Sequence, residues 1–496
     1  MGSKSSKLKV TPVTHFGKSI NELQKIGAIK NTSARYERAH AVFLSVRSHA
    51  EKQLVSRLPL SKLAPRLQRR NFIAMQPVNE SDRIESLDVL RGFSLLGILL
   101  LNIMGFGFIA AAYTTPGLIV TSTADLVTWA GVELFAEGAM RALFSILFGA
   151  GVLLFLGKDS HSRGWLHFKR TTWLLIFGLA NGYILLWTGD ILVTYALAGF
   201  LLYFMRNLTG QTLLKLSITA LVLISLYNTA MHFGLKYLRD SAQAVAALEA
   251  QGSDVPKSLK ESAEEWIAFK SEVSPAPDVI VEETEQRSTS YRSAFLWTLD
   301  HNTEILSSTL WQILLPDALV LMILGMALFR LGILQGNAAD HIYRKMMIYG
   351  FSTGLVINSF EVWYAIQSQL AVIEAFTILS PTYHLGRVAM ALGWVGALIL
   401  MIKRGGIGWR LGNVGRMALT NYLMQSLICL FIFTGAGLGL VNQIALPQTY
   451  LLVLMIWVFQ LMFSTWWLQR FYYGPMEWLW RALTYGRRPI FLRTVR

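Results

Sequence analysis

Ten long apolar runs dominate this sequence, at roughly 88–110, 139–157, 171–187, 189–205, 212–234, 309–330, 346–366, 385–402, 417–439 and 449–471. Each approaches the roughly 20 apolar residues that a helix needs to cross a bilayer. Composition agrees. Hydrophobic residues make up 53% of the 496 and charged residues only 15%, with mean hydropathy +0.43. A soluble domain carries about 25% charge. In water such a chain would expose large apolar surfaces, so lipid is the solvent it is built for. In lipid every backbone N–H and C=O must be bonded within its own segment or barrel. The expected fold is therefore all-α, a polytopic membrane protein of about ten transmembrane helices.

Loop charge orients it. With a cytoplasmic N-terminus, the inside loops carry Lys158, Arg163, Lys169, Arg170, Arg206, Arg344, Lys345, Lys403, Arg404, Arg410 and Arg416, and the C-terminal tail adds five arginines from Arg481 to Arg496. The outside loops 111–138, 367–384 and 440–448 hold few positive charges, and the long one, 235–308, has seven Lys/Arg against thirteen Asp/Glu. A missed or invented span would invert this bias in half the chain. The expectation is N-in and C-in, with 235–308 either a partly ordered outer cap or a solvated linker.

Most of the net charge of +15 sits in residues 1–74, which hold fifteen Lys/Arg and three Asp/Glu and contain no run long enough to span. Three readings stay open for this extension: a start misplaced upstream of Met75, a basic targeting tail, or a myristoylated polybasic anchor at Met1-Gly2-Ser3-Lys4-Ser5-Ser6. The membrane domain is expected over 75–496. The single cysteine, Cys429, lies in an apolar run and reads as packing. No HExxH, paired-cysteine or histidine-cluster spacing points to a metal, and no GxxxxGK[ST] loop or Rossmann glycine fingerprint points to a nucleotide. Nothing suggests a nucleic-acid partner; the partner is the bilayer.

Ionisable and amide side chains within spans are expensive in lipid, so each is a candidate for function. Asp88 and Arg91 open the first run three residues apart, and Asn102 follows Arg91 by three turns on about the same face. Glu137, Arg141 and Ser145 form an i, i+4, i+8 stripe. Asn181, Asp190 and Tyr195 cluster around a tight turn expected at Thr188-Gly189, and Asp317, Glu361, His384, Arg387, Asn421, Gln425 and Gln460 follow. The candidate cavity residues are thus Asp88, Arg91, Asn102, Arg141, Asn181, Tyr195, Arg387, Asn421 and Gln425. Asp88, Arg91, Asn102, Arg141, Asn181 and Asp190 are expected to share one internal cavity.

The segments LDVLRGFSLLGILLLNI (87–103), LFSILFGAG (143–151), GDILVTYAL (189–197), GRMALTNYLMQS (415–426) and GPMEWLWRALTYG (474–486) resemble the YeiB-like family of bacterial membrane proteins, a domain of unknown function, family 418. The resemblance runs from about 84 to 490. It implies an inner (plasma) membrane location and a distant relationship to transmembrane acyltransferases. The acyltransferase-3 type begins with Arg, ten residues, then His; here the frame is Arg91 and Asn102. Asn181 stands where many YeiB-like sequences carry His. Amides accept no proton usefully at neutral pH, which leaves Asp190 and His384 as candidate catalytic bases. The relationship implies acyl transfer from cytoplasmic acyl-CoA, docked on Arg163, Lys169, Arg170, Arg404 and Arg410, to a cell-envelope acceptor, with Arg141 and Asn102 orienting the acyl carbonyl. The alternative is a transporter or lipid-handling protein without covalent chemistry, its polar stripe lining a path.

Overall fold

The computed structural model describes residues 83–157, 163–370, 379–406 and 408–493. The extension 1–74 lies outside the described residues. Among the described residues the regular structure is helical, apart from an isolated bridge between Phe471 and Leu492.

The chain enters through α1 (Glu85–Gly107), makes two short 3₁₀ turns, and continues as α2 (Thr123–Phe135), α3 (Ala139–Leu156), α4 (Gly164–Tyr183) and α5 (Ile191–Leu202). The 41-residue α6 (Gly210–Ala250) is followed by α7 (Lys257–Val273), α8 (Pro277–Thr289) and α9 (Tyr291–Glu304). A π-helix over Ile305–Leu314 leads into α10 (Leu315–Arg330). The remaining helices are α11 (Asp340–Gln367), α12 (Leu379–Lys403), α13 (Gly408–Arg416), α14 (Ala418–Phe433), α15 (Leu446–Arg470) and α16 (Pro475–Tyr485).

Each of the ten apolar runs coincides with a helix. Among the described residues, six helical segments are long and apolar enough to cross a membrane: Glu85–Gly107, Thr123–Leu156, Gly210–Ala250, Tyr291–Arg330, Thr382–Lys403 and Leu446–Arg470. The bent pair α13 and α14, at 79°, makes a seventh if counted as one span. The rest fall short for physical reasons: α5 is only 12 residues, α4 carries Lys169 and Arg170 in its second turn, and α11 begins with Asp340, Arg344 and Lys345 in its first two turns. The multi-pass, all-helical architecture is clear from these elements.

Three local expectations are corrected. Segment 111–138 is not only a loop: Ser122 caps α2 by accepting the Asp125 N–H, and Asp125 accepts the Ser122 N–H in return, a reciprocal box that starts a helix. The α4–α5 connection is not a two-residue turn; it runs from Ile184 to Asp190 and passes through Leu186 at φ +55°. Segment 235–308 is not a linker: it holds the end of α6 and all of α7, α8 and α9.

Helices approach closely where glycines face backbone. A Cβ on Gly149 would strike the Met322 carbonyl, and one on Gly325 the Ile146 carbonyl, so α3 and α10 pack backbone to backbone. The two ends of the bundle differ in charge. At one end Ser86 Oγ donates to the Leu334 carbonyl (2.7 Å), Lys403 pairs with Asp340 (2.8 Å), Trp480 Nε1 donates to the Arg170 carbonyl (2.8 Å) and Arg330 donates to the Arg206 carbonyl. At the other end the acid-rich α8 lies over the C-terminus of α1. There Arg287 donates to the carbonyls of Phe108 (2.6 Å), Gly105 (3.1 Å) and Phe106 (3.1 Å), and Glu283 accepts the Ala110 N–H (2.9 Å).

Candidate functional site

Asp190 occupies the N-cap of α5. Its Oδ2 accepts the Val193 N–H (3.0 Å), and its Oδ1 accepts Asn181 Nδ2 (2.8 Å) and the Tyr422 hydroxyl (3.3 Å). The direction of the last bond is forced. Tyr422 Oη already accepts the Trp187 indole N–H (3.2 Å) and the Ile191 N–H (3.2 Å), so its own proton goes to Asp190. Trp187 stacks on Phe106 of α1, with centroids 3.8 Å apart, so α1 braces the tryptophan that orients Tyr422. Beside it opens a narrow cleft of about 20 Å³, lined by Gly178, Gly182, Asp190, Asn302 and the π-helix residues Ile305, Leu306, Leu310 and Leu314. That is room for a water-sized group. Gly178 lets α4 approach the start of α5 closely, because a Cβ there would lie 2.8 Å from Asp190 Oδ2 and 2.6 Å from Val193 N.

A second cluster gathers the charged residues. Arg387, 2% exposed, donates both terminal nitrogens to the Asp317 carboxylate, one at 3.0 Å. His384 Nδ1 lies 2.5 Å from Arg387 Nη2, and Nε2 lies 2.8 Å from the Asn228 side-chain amide of α6. Arginine only donates, so Nδ1 accepts and both ring nitrogens are engaged. Arg141 donates to Tyr383 Oη (2.6 Å), which in turn donates to Glu137 (3.1 Å). One turn along α3, Ser145 shares a hydrogen bond with Tyr195 of α5 (2.6 Å). Tyr195 thus joins this cluster to the helix that Asp190 caps. Glu361 accepts a hydrogen bond from Thr382 (2.5 Å) close by in sequence to Tyr383.

The structure brings Asp190 with Asn181, and Arg141 with Tyr195, into neighbouring clusters around α5. His384 and Arg387 join on Asp317. The other sequence candidates lie apart, so no single cavity holds all of them. Asp88 sits at the start of α1 with Arg91 (3.3 Å) and Arg83 (3.5 Å). Asn102 is half-buried, and its side chain makes no hydrogen bond among the described residues. Asn421 and Gln425 face Ser464 and Gln460 of α15. Sequence reasoning did not single out Tyr422, Tyr383 or Asn228. A tyrosine inside an apolar run was the available signal for Tyr422. Among the described residues no group of three or more His, Cys, Asp or Glu could hold a metal ion.

These features define a polytopic helical membrane protein with buried, hydrogen-bonded ionisable groups near one end of the bundle. Comparison with known proteins is consistent with this. Residues 328–487 match the family described as "Protein of unknown function (DUF418)". The chain is 30% identical over 422 residues to the uncharacterized protein YeiB of Escherichia coli (strain K12), covering 81% of this chain and 96% of that one. It is 29% identical over 440 residues to the uncharacterized protein YxaH of Bacillus subtilis (strain 168), covering 83% and 96%. The chain belongs to the YeiB-like, DUF418 family. No solved structure matches it.

Proposed function

We propose that this protein is a membrane-embedded acyltransferase whose general base is Asp190. The observation that carries the reading is that Asp190 lines a cleft between α4, α5 and the π-helix, with its carboxylate fixed by Asn181, Tyr422 and the Val193 N–H. An acceptor hydroxyl or amine in the cleft gives its proton to Oδ2 as it attacks the donor thioester. The new acyl–oxygen or acyl–nitrogen bond forms, the carbon–sulfur bond breaks, and the thiolate leaves as CoA. Positioned general bases of this kind contribute about 10²–10⁴-fold. His384 suits a positioning role, since Arg387 and Asn228 occupy its nitrogens. π-helical turns are frequent at functional sites, which agrees with the position of Ile305–Leu314. The resemblance of the Arg91–Asn102 frame to the start of acyltransferase-3 proteins also supports the reading. The purified chain should release CoA from labelled acyl-CoA in the presence of envelope material.

In the same reading the protein lies in the plasma membrane, ten helices cross it, both termini are cytoplasmic, and 75–496 is the working unit with 1–74 outside it. The charge difference between the bundle ends supports that orientation. Acyl-CoA would meet the basic end near Arg163, Lys169, Arg170, Arg404 and Arg410.

One observation favours a second reading, a transporter. Glu137, Tyr383 and Arg141, and then Asp317, Arg387, His384 and Asn228, form near-continuous polar contacts across α3, α12, α10 and α6. Intramembrane ionisable groups in such series mark proton or substrate paths. Uptake into vesicles independent of CoA would favour it.

A further inference from the structure

The α13–α14 break holds a polar cluster that the acyl-transfer reading does not use. Asn421 and Gln425 lie one turn apart on α14, and Gln460 and Ser464 one turn apart on α15; all four are at most 1% exposed. Their hydrogen bonds have only one consistent orientation. Gln460 Nε2 donates to the Asn421 main-chain carbonyl (2.8 Å), which turns Gln460 Oε1 toward Gln425. An oxygen only accepts, so Gln425 meets it with Nε2 (3.0 Å). Asn421 likewise presents Nδ2 to the Val414 carbonyl (3.2 Å) and to Ser464 Oγ (2.9 Å). Two amide oxygens, Asn421 Oδ1 and Gln425 Oε1, are thereby left buried with no donor among the described residues. Flipping either amide would set oxygen against oxygen.

A buried acceptor without a donor is costly, roughly 1–3 kcal/mol each, and two on one face of one helix call for a shared partner. Charge tells water from a cation. Glu477 of α16 reaches the same break. Its Oε1 accepts the N–H groups of Leu419 (2.7 Å) and Thr420 (3.0 Å), and its Oε2 accepts the Thr420 hydroxyl (2.5 Å). Thr420 Oγ1 accepts the Met476 N–H (3.1 Å), so its proton must point to Glu477. Both carboxylate oxygens therefore act as acceptors, the arrangement of an ionised group. Burial raises this carboxyl's pKa, and the Thr420 donors offset only part of that. Among the described residues Glu477 forms no ion pair; the N-terminal dipole of α14 offsets only about half a charge. A water would fill the hydrogen bonds and leave the charge. A monovalent cation answers both. A divalent ion would require carboxylates among its direct ligands, and the two orphaned groups are neutral amides.

We propose that Asn421 Oδ1 and Gln425 Oε1 bind an alkali-metal cation of the sodium class at the break between α13 and α14. Carbonyl oxygens at a broken membrane helix are suited to such an ion. The site stands independently of Asp190.

Thermal unfolding of the full chain in detergent tests it, in sodium, potassium or N-methylglucamine chloride at matched ionic strength. The expected result is a saturable rise in Tm of about 2–4 °C with an alkali salt over N-methylglucamine, and no rise in Gln425→Met, which keeps side-chain length and removes the oxygen. Equal Tm in all three salts would overturn the proposal and assign the oxygens to water. Should Gln425→Met fail to fold, radioactive sodium binding to the unaltered chain decides. Saturable binding displaced by cold sodium supports the site, and its absence removes it.

Discussion

Gly178 is where the smallest change reaches the proposed chemistry. It faces Asp190 Oδ2 and Val193 N closely enough that one methyl group intrudes on both. Gly178→Ala should therefore depress CoA release at least 10-fold, while the amount of folded protein, read by size-exclusion chromatography, falls much less. Equal turnover in the variant would show that the cleft is not the route to Oδ2. Arg387 makes the opposite case. Its guanidinium is fully buried against Asp317, and removing one partner of such a pair strands the other charge, which costs about 3–5 kcal/mol. Arg387→Met should lower Tm markedly, and adding Asp317→Asn should restore part of the loss. A double variant as unstable as the sum of the single ones would mean that the pair is not coupled.

At the scale of elements, Arg287 is the side chain that ties the acidic segment most closely to the end of α1. Arg287 in α8 satisfies three carbonyls at the end of α1 and pairs with Glu283 (2.9 Å). Burial draws its pKa down, and the adjacent Glu283 opposes that. Arg287→Ala leaves Glu283 buried without its cation and three helix-terminal carbonyls unpaired. Limited proteolysis of intact membranes should then cut between 251 and 290 several-fold faster than in the unaltered chain; an unchanged rate would mean that α8 is held by other contacts. The sequence made the apolar runs legible because lipid imposes length and composition directly. It hid α7 and α8 because acidic amphipathic helices look like solvated linker until something to pack on is known. The box at Ser122 and Asp125 was visible as Ser-x-x-Asp, yet the whole of 111–138 reads as one loop between two spans. The site was legible as a set of residue types and not as a set of neighbours. Asp317 meets Arg387 across 70 residues and Tyr422 meets Asp190 across 232, and no periodicity encodes which helices adjoin.

For the whole molecule, the proposed sidedness rests on charge. Ser86, Arg206, Arg330, Lys403 and Trp480 share contacts at the basic end, and α8 and the end of α1 meet at the other. On a Cys429→Ser background, Glu265→Cys should react with an impermeant maleimide in intact cells, and Arg404→Cys only after permeabilisation. The reverse pattern would invert the orientation. The central group is the single carboxylate at the α5 cap, held by donors from two other helices and lining a cleft. Asp190→Asn keeps its shape and removes its basicity, so the most direct measurement is the rate of CoA release from labelled acyl-CoA by purified wild-type and Asp190→Asn protein of equal Tm. The account predicts a loss of about 10²-fold or more in the variant; equal rates would contradict Asp190 as the base and with it the proposed mechanism.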